Sequence, residues 1–111
     1  MAFLEENNIA KEEIGPGRKR YLGYTDKLMM VVIDFHDGPT SEPDPPHSHP
    51  HEQVSYVVTG ELIVHIGEDS KKLKPGDMFT VPPDIPHTVQ LLSEHVRLVD
   101  TFTPIRDEFI S

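Results

Sequence analysis

"PPHSHPHEQVSYVVTG" occupies residues 45–60 of a 111-residue chain. It sets three histidines, His47, His49 and His51, just ahead of a run with strand character. His47 and His49 are two apart, so an extended backbone puts both rings on one face, and Gln53 has the same parity. A turn through Pro50 would break that register, so the parity is suggestive only. Beyond Gln53, Val54, Tyr56 and Val58 fall on one side, with Ser55, Val57 and Thr59 on the other. Pro43, Pro45, Pro46 and Pro50 flank the histidines, and proline cannot donate to a ladder. The cluster therefore stands where loop becomes strand, a position from which side chains do chemistry. A histidine cluster of this kind is a metal site, a pH switch or a solvated loop.

The same punctuation runs outward along the chain. Eleven prolines and seven glycines cut it into short pieces rich in Val, Ile, Phe, Tyr and Thr. Strands are expected near Arg20–Tyr24, Leu28–Phe35, Gln53–Thr59, Glu61–Ile66, Lys71–Lys74, Met78–Val81, His87–Leu92 and Val96–Thr103. "TGE", "GEDS" and "KPGD" read as turns. Only Phe3–Glu13 has a weak helical pattern. Many short strands at close spacing define an all-β sandwich or barrel. No repeat or linker divides the chain, so residues 1–111 are expected to form a single domain, with 1–17 as an N-terminal extension.

Composition narrows the partners. The formal net charge is −9. Phosphate backbones are bound by clustered Lys and Arg, so no nucleic acid is expected. The one basic cluster, Arg18, Lys19 and Arg20, reads as a solvated strand start. There is no cysteine, which removes disulfides and thiolate ligands. The longest apolar run, Leu28 to Ile33, is too short to span a bilayer, so no membrane partner is expected. The acidic N-terminal sequence lacks the apolar core of a secretory signal, so the expected compartment is cytoplasmic. Edge strands of a small sandwich need cover, which makes a homodimer plausible.

A second block completes the pattern. Gly76 is followed by five residues, Pro82, and then "PDIPH", which ends at His87. "HSHPHEQVSYVVTG" and "GDMFTVPPDIPH" resemble the two motifs of the cupin family. His47, His49, Gly60, Gly76, Pro82 and His87 fall at family positions. The resemblance implies a cupin-type double-stranded β-helix, a jelly-roll barrel with a divalent metal in its mouth. The implied ligands are His47, His49, His87 and the residue at the family's glutamate position. That residue is Gln53, a departure; Asp84 for the motif glycine and Leu91 for a terminal asparagine are others. With an amide in place of a carboxylate, three neutral imidazoles leave a divalent ion near +2 instead of +1. Such a site favours binding an anionic, oxygen-rich molecule over supporting high oxidation states. It suits one divalent transition metal: Ni, Zn, Fe, Mn or Co.

"RLVDTFTPIRDEF" adds candidates for chemistry. Leu98, Asp100 and Phe102 share a strand face. If that face points inward, Asp100 is placed for general acid/base work, and Arg106 for a bidentate clamp on a carboxylate. The alternative leaves Asp100 in solvent and Arg106 paired with Asp107 or Glu108. "GRKRYLGYTDKLMMVVIDF", "HPHEQVSYVVTGEL" and "TFTPIRDEF" together resemble the small cupins of pectin and alginate breakdown, which linearise 4,5-unsaturated monouronates. Those proteins share Gln at the fourth ligand position. The resemblance implies metal on His47, His49, Gln53 and His87. It also implies catalysis and binding by Asp100, Phe102 and Arg106, with Arg20 as a second cation, on a small anionic sugar. A dioxygenase, a polyketide cyclase, a sugar isomerase and a non-catalytic binding cupin are the alternatives.

Overall fold

The computed structural model describes residues 1–110. Nine strands follow one another: β1 (Glu12–Gly15), β2 (Arg18–Tyr24), β3 (Met29–Phe35), β4 (Glu52–Thr59), β5 (Leu62–Ile66), β6 (Asp69–Leu73), β7 (Met78–Val81), β8 (His87–Leu91) and β9 (Val96–Thr103). A single turn of 3-10 helix, Asp107–Phe109, comes last. The strands form two antiparallel sheets, one of six in the order β1-β2-β3-β9-β4-β7 and one of three in the order β6-β5-β8. All eight expected strands are present, within a residue or two at their ends. Among the described residues, no helix is long and apolar enough to cross a membrane.

The N-terminal segment departs from expectation. Phe3–Glu13 holds only a turn near Glu6–Asn8, closed by the Asn8 and Ile9 amides on the Glu5 carbonyl. Two asparagines and a span this short cannot carry the cost of helix nucleation. Glu12–Gly15 pairs with β2 instead, so part of the expected extension adds a strand to the larger sheet.

Strand alternation sets the inside and the outside. On β4, Gln53, Ser55 and Val57 are buried while Val54, Tyr56 and Val58 are exposed. Val57 packs with Leu62, Val64, Leu91 and Leu98 between the sheets. Complete burial of a Leu or Val side chain contributes roughly 1.5–3 kcal/mol. A smaller cluster of Met29, Val31 and Phe102 continues that core toward the open end.

Two motif positions have a local physical cause. Gly60 has φ +79°, and a Cβ there would collide with the His95 carbonyl oxygen, so no other residue fits the β4–β5 turn. Asp84, which stands where the cupin motif has glycine, adopts φ 64°. That is the left-handed region, which Asp tolerates better than most residues. The departure in sequence thus keeps the backbone shape, and the Asp84 amide donates to the His49 carbonyl (2.8 Å).

Candidate metal centre

His47 and His87 are forty residues apart in sequence and opposite each other in space. Their backbones exchange two hydrogen bonds, His47 N–H to the His87 carbonyl at 3.1 Å and the reverse at 2.9 Å. Paired residues project side chains to the same side, and the two rings lie 4.3 Å apart. His49 adds a third ring, 4.8 Å from His87 and 5.9 Å from His47. One nitrogen from each ring lies within 4.8 Å of the others. Gln53 reaches the same point from the inner face of β4.

The hydrogen bonds show which atoms are free. His49 Nδ1–H donates to the His51 carbonyl (3.0 Å), which leaves Nε2 with a bare lone pair. That Nε2 lies 3.0 Å from Gln53 Oε1, another lone-pair atom. The amide cannot turn its nitrogen there, because Gln53 Nε2 donates to Ser55 Oγ (2.9 Å). Two acceptors therefore face each other with no proton between them. A cation between them would resolve this conflict, because both lone pairs could then point at one ion. His87 has the same polarity, with Nδ1–H donating to the Ile85 carbonyl (2.9 Å) and Nε2 buried without a partner. Burial, then the other histidines and Arg106, pushes His47 down to about 4. Burial above all lowers His49 as well. Both are neutral near pH 7, as ligands must be. The donor set fits a divalent metal.

A second histidine cluster has different chemistry. Asp34, His36 and His95 also converge, with the His36 and His95 rings stacked at 4.2 Å. Arg97 grips both Asp34 oxygens at 2.8 Å, and His95 Nε2–H donates to Oδ1 at 2.7 Å. The Arg97 contact, with burial opposing it, holds the Asp34 carboxyl down at about 2. That carboxylate is already neutralised, and no buried nitrogen there lacks a partner.

Beside the three imidazoles lies a cavity of about 770 Å³, walled by both sheets. Asp100, Phe102, Arg106, Arg20 and Gln53 all line it. The strand face of Leu98, Asp100 and Phe102 points inward, and Asp100 is 6% exposed. Desolvation raises its carboxyl to about 6, against lowering by the Ser55 hydroxyl and the Arg106 charge. Phe102 meets His49 edge-on, with ring centroids 5.5 Å apart. Arg106 donates to Glu108 at 2.8 Å, the surface pairing weighed from sequence, yet its guanidinium also lies 4.2 Å from the Phe109 ring at the cavity mouth. Arg20 lies 3.9 Å from that ring and pairs with Glu12 (3.2 Å). Glu12 and Glu108 are more than half exposed, so these ion pairs are weak and an anion can displace either acid.

Sequence reasoning passed over three contributors. Arg18, read as part of a solvated strand start, faces the cavity and is held by Asp37 and by a bidentate contact with Asp44. His51 contributes its backbone carbonyl, which accepts from His49 Nδ1–H, and its ring meets the His49 ring edge-on with centroids 5.6 Å apart. Ser55, whose parity with Gln53 was legible, links Gln53 to Asp100 through a 2.6 Å bond to Asp100 Oδ1.

Two sheets enclosing a mouth with converging imidazoles define a cupin. The cupin-domain family model matches residues 32–102, more than half of the chain, and the chain belongs to that family. It is similar to the pectin degradation protein KdgF of Dickeya dadantii (strain 3937), at 38% identity over 110 residues, covering 97% of each chain. Among solved structures it resembles KdgF from Halomonas sp., with TM-score 0.88, 30% identity and 98% of each chain covered. An RmlC-like cupin from Shewanella frigidimarina NCIMB 400 has TM-score 0.88 and 39% identity, covering 98% of this chain and 96% of that one.

Proposed function

We propose that this chain is a metal-dependent cupin enzyme of pectin breakdown that opens the ring of a 4,5-unsaturated monouronate to a linear keto-deoxyuronate. The observation that carries the reading is a buried carboxyl, Asp100, in one cavity with Gln53, His47, His87 and the Arg106 guanidinium, where His49 converges with the other two imidazoles. Similarity to KdgF at 38% identity supports the substrate class.

His47, His49, Gln53 and His87 would hold one divalent transition metal (Ni, Zn, Fe, Mn or Co). Such an ion supplies Lewis acidity and orients sugar oxygens. Net, the reaction moves one proton from the anomeric hydroxyl to C4 and breaks the C1–O5 bond, giving an aldehyde and a C5 ketone without net water or electrons. Asp100 carries that proton, taking it as carboxylate and returning it as acid; a value near 6 lets it do both close to neutral pH. Arg106 binds the uronate carboxylate in place of Glu108, and Arg20 contributes a second cation by releasing Glu12. Phe102 packs on the sugar and keeps water from the reacting carbons.

The same reading makes the protein a cytoplasmic, single-domain homodimer. For the dimer the support is an apolar outer face on the larger sheet, where Val99, Tyr56 and Met78 stand side by side across β9, β4 and β7. Val54, Tyr56, Val58 and Met78 are 39–64% exposed. These side chains carry no charge, so two copies of a −9 chain can meet there without like-charge repulsion. Tyr56→Lys should convert the dimer to a monomer by light scattering; a wild type that is already monomeric rejects this part.

The deciding experiment follows the absorbance of the conjugated C4–C5 double bond of unsaturated galacturonate and guluronate monomers. Metal-loaded protein should abolish that absorbance, and Asp100→Ala should retain metal but not turn over. No absorbance change with metal bound rejects the uronate reading and leaves the fold intact.

A further inference from the structure

Ser55 is an unspecified position inside the first family motif, yet it is 1% exposed and sits between the donor set and the buried carboxyl. Its place follows from register: Ser55 on β4 is the direct cross-strand partner of Asp100 on β9. Both side chains point inward, and the hydroxyl–carboxylate bond spans 2.6 Å. A serine hydroxyl has one proton to give. An ionised Asp100 accepts that proton, so Ser55 Oγ can then only accept. The neighbour it accepts from is Gln53, whose amide nitrogen lies 2.9 Å away. The amide is therefore committed, nitrogen toward Ser55 and oxygen toward His49 Nε2.

The opposite orientation would be the easier one without this link. Turned by half a rotation, the Gln53 amide would give an N–H to the bare His49 Nε2 and form an ordinary hydrogen bond. It would then present a donor where a cation needs an acceptor.

We propose that Ser55 is a positioning residue: its hydroxyl, polarised by Asp100, locks the Gln53 amide with its oxygen toward the metal position. The inference rests on the metal-site reading above and extends it from the ligands to the group that orients one of them. Ser55 touches neither sugar nor metal in this scheme. Its effect passes through Gln53 in one direction and Asp100 in the other, whose remaining charged neighbour is Arg106.

The test uses metal-free protein titrated with Zn(II) by calorimetry, alongside a 13C NMR titration of the Asp100 carboxyl. Folding is checked by thermal unfolding. Ser55→Ala should bind Zn(II) about 10–100-fold more weakly, the cost of losing an orienting partner of a ligand. The Asp100 carboxyl should titrate at higher pH, because the hydroxyl bond that favours its charged form is gone. A merely structural role would lower the melting temperature and leave the Zn(II) affinity unchanged. An unchanged Kd, or an unshifted carboxyl titration, in folded Ser55→Ala overturns the proposal. If that variant does not fold, Ser55→Thr and Ser55→Val, nearly equal in shape, repeat the comparison. Thr holding Zn(II) at wild-type affinity while Val loses it supports the proposal, and equal behaviour overturns it. Absence of Zn(II) binding by the wild type overturns the metal reading, and the Ser55 role with it. Zn(II) binding with the expected Ser55 effect supports the role even where uronate turnover is absent, so the two readings fail separately.

Discussion

Replacing Asp100 by Asn should make the metal-free protein more stable near neutral pH while removing turnover. Asn has the shape of Asp, no charge, and an oxygen that can still accept from Ser55. The buried carboxyl rises from 3.8 to about 6 on folding, with desolvation as the main cause. A raised acid binds its proton more tightly in the folded state, so its contribution to stability is present in acid and is lost as pH rises through the folded value. At pH 7.5, above both values, the ionised folded state carries a penalty of about 3 kcal/mol. At pH 4.5 most folded molecules are protonated at this site, and the penalty shrinks to about 1 kcal/mol. The histidine contributions are common to both proteins and drop out of the difference. Urea unfolding of the two proteins at both pH values measures it. The gain from Asp100→Asn should be larger at pH 7.5 than at pH 4.5 by about 2 kcal/mol. An equal gain at the two pH values, or no gain at pH 7.5, would refute the argument that desolvation dominates this carboxyl. A stabilised, inactive variant would also show that stability is given up at the site of chemistry.

Three further outcomes test other parts of the site. His87→Ala should weaken Zn(II) binding by more than about 100-fold in calorimetry, beyond the loss caused by removing a ligand's hydrogen-bond partner. Arg106→Ala should raise KM for the unsaturated uronate about 10–100-fold, the worth of a hydrogen bond between charged groups, in steady-state assays. Asp84→Gly should raise stability by up to about 1 kcal/mol, because relief of the left-handed backbone outweighs glycine's added chain entropy; thermal unfolding beside Asp84→Ala, which gains nothing, checks it.

Much of this architecture was legible because β-structure writes itself into sequence with period two. The inward set Gln53, Ser55 and Val57 and the set Leu98, Asp100 and Phe102 follow from counting alternate residues once a strand is recognised. The spacing of His47, His49 and His87 resembled a family pattern, and the structure brings the three rings together. What sequence could not supply was pairing. Nothing local says that Glu12–Gly15 will find β2 instead of forming a helix, because the choice is made by a tertiary partner. Nothing local says that Ser55 and Asp100 are opposite each other, since register between β4 and β9 spans some forty intervening residues. From charge alone Arg18 and Arg20 read as a solvated strand start, and the family resemblance singled out only Arg20 as a cation for substrate. Lys19 between them is exposed, and the two arginines turn to the cavity. The departures Asp84 and Gln53 were visible as letters, but their consequences needed a dihedral angle and a hydrogen-bond direction.

The four candidate ligands straddle the seam between the two halves of the sandwich. Gln53 belongs to the six-stranded sheet and His87 to the three-stranded one, and the His47–His87 backbone pairing stitches the loop before β4 to β8. An ion held there would act as a rivet. Its binding energy would become resistance to prising the sheets apart, felt along the whole cavity wall. The shape that meets a sugar would then be set by tension across that seam as much as by the side chains lining it.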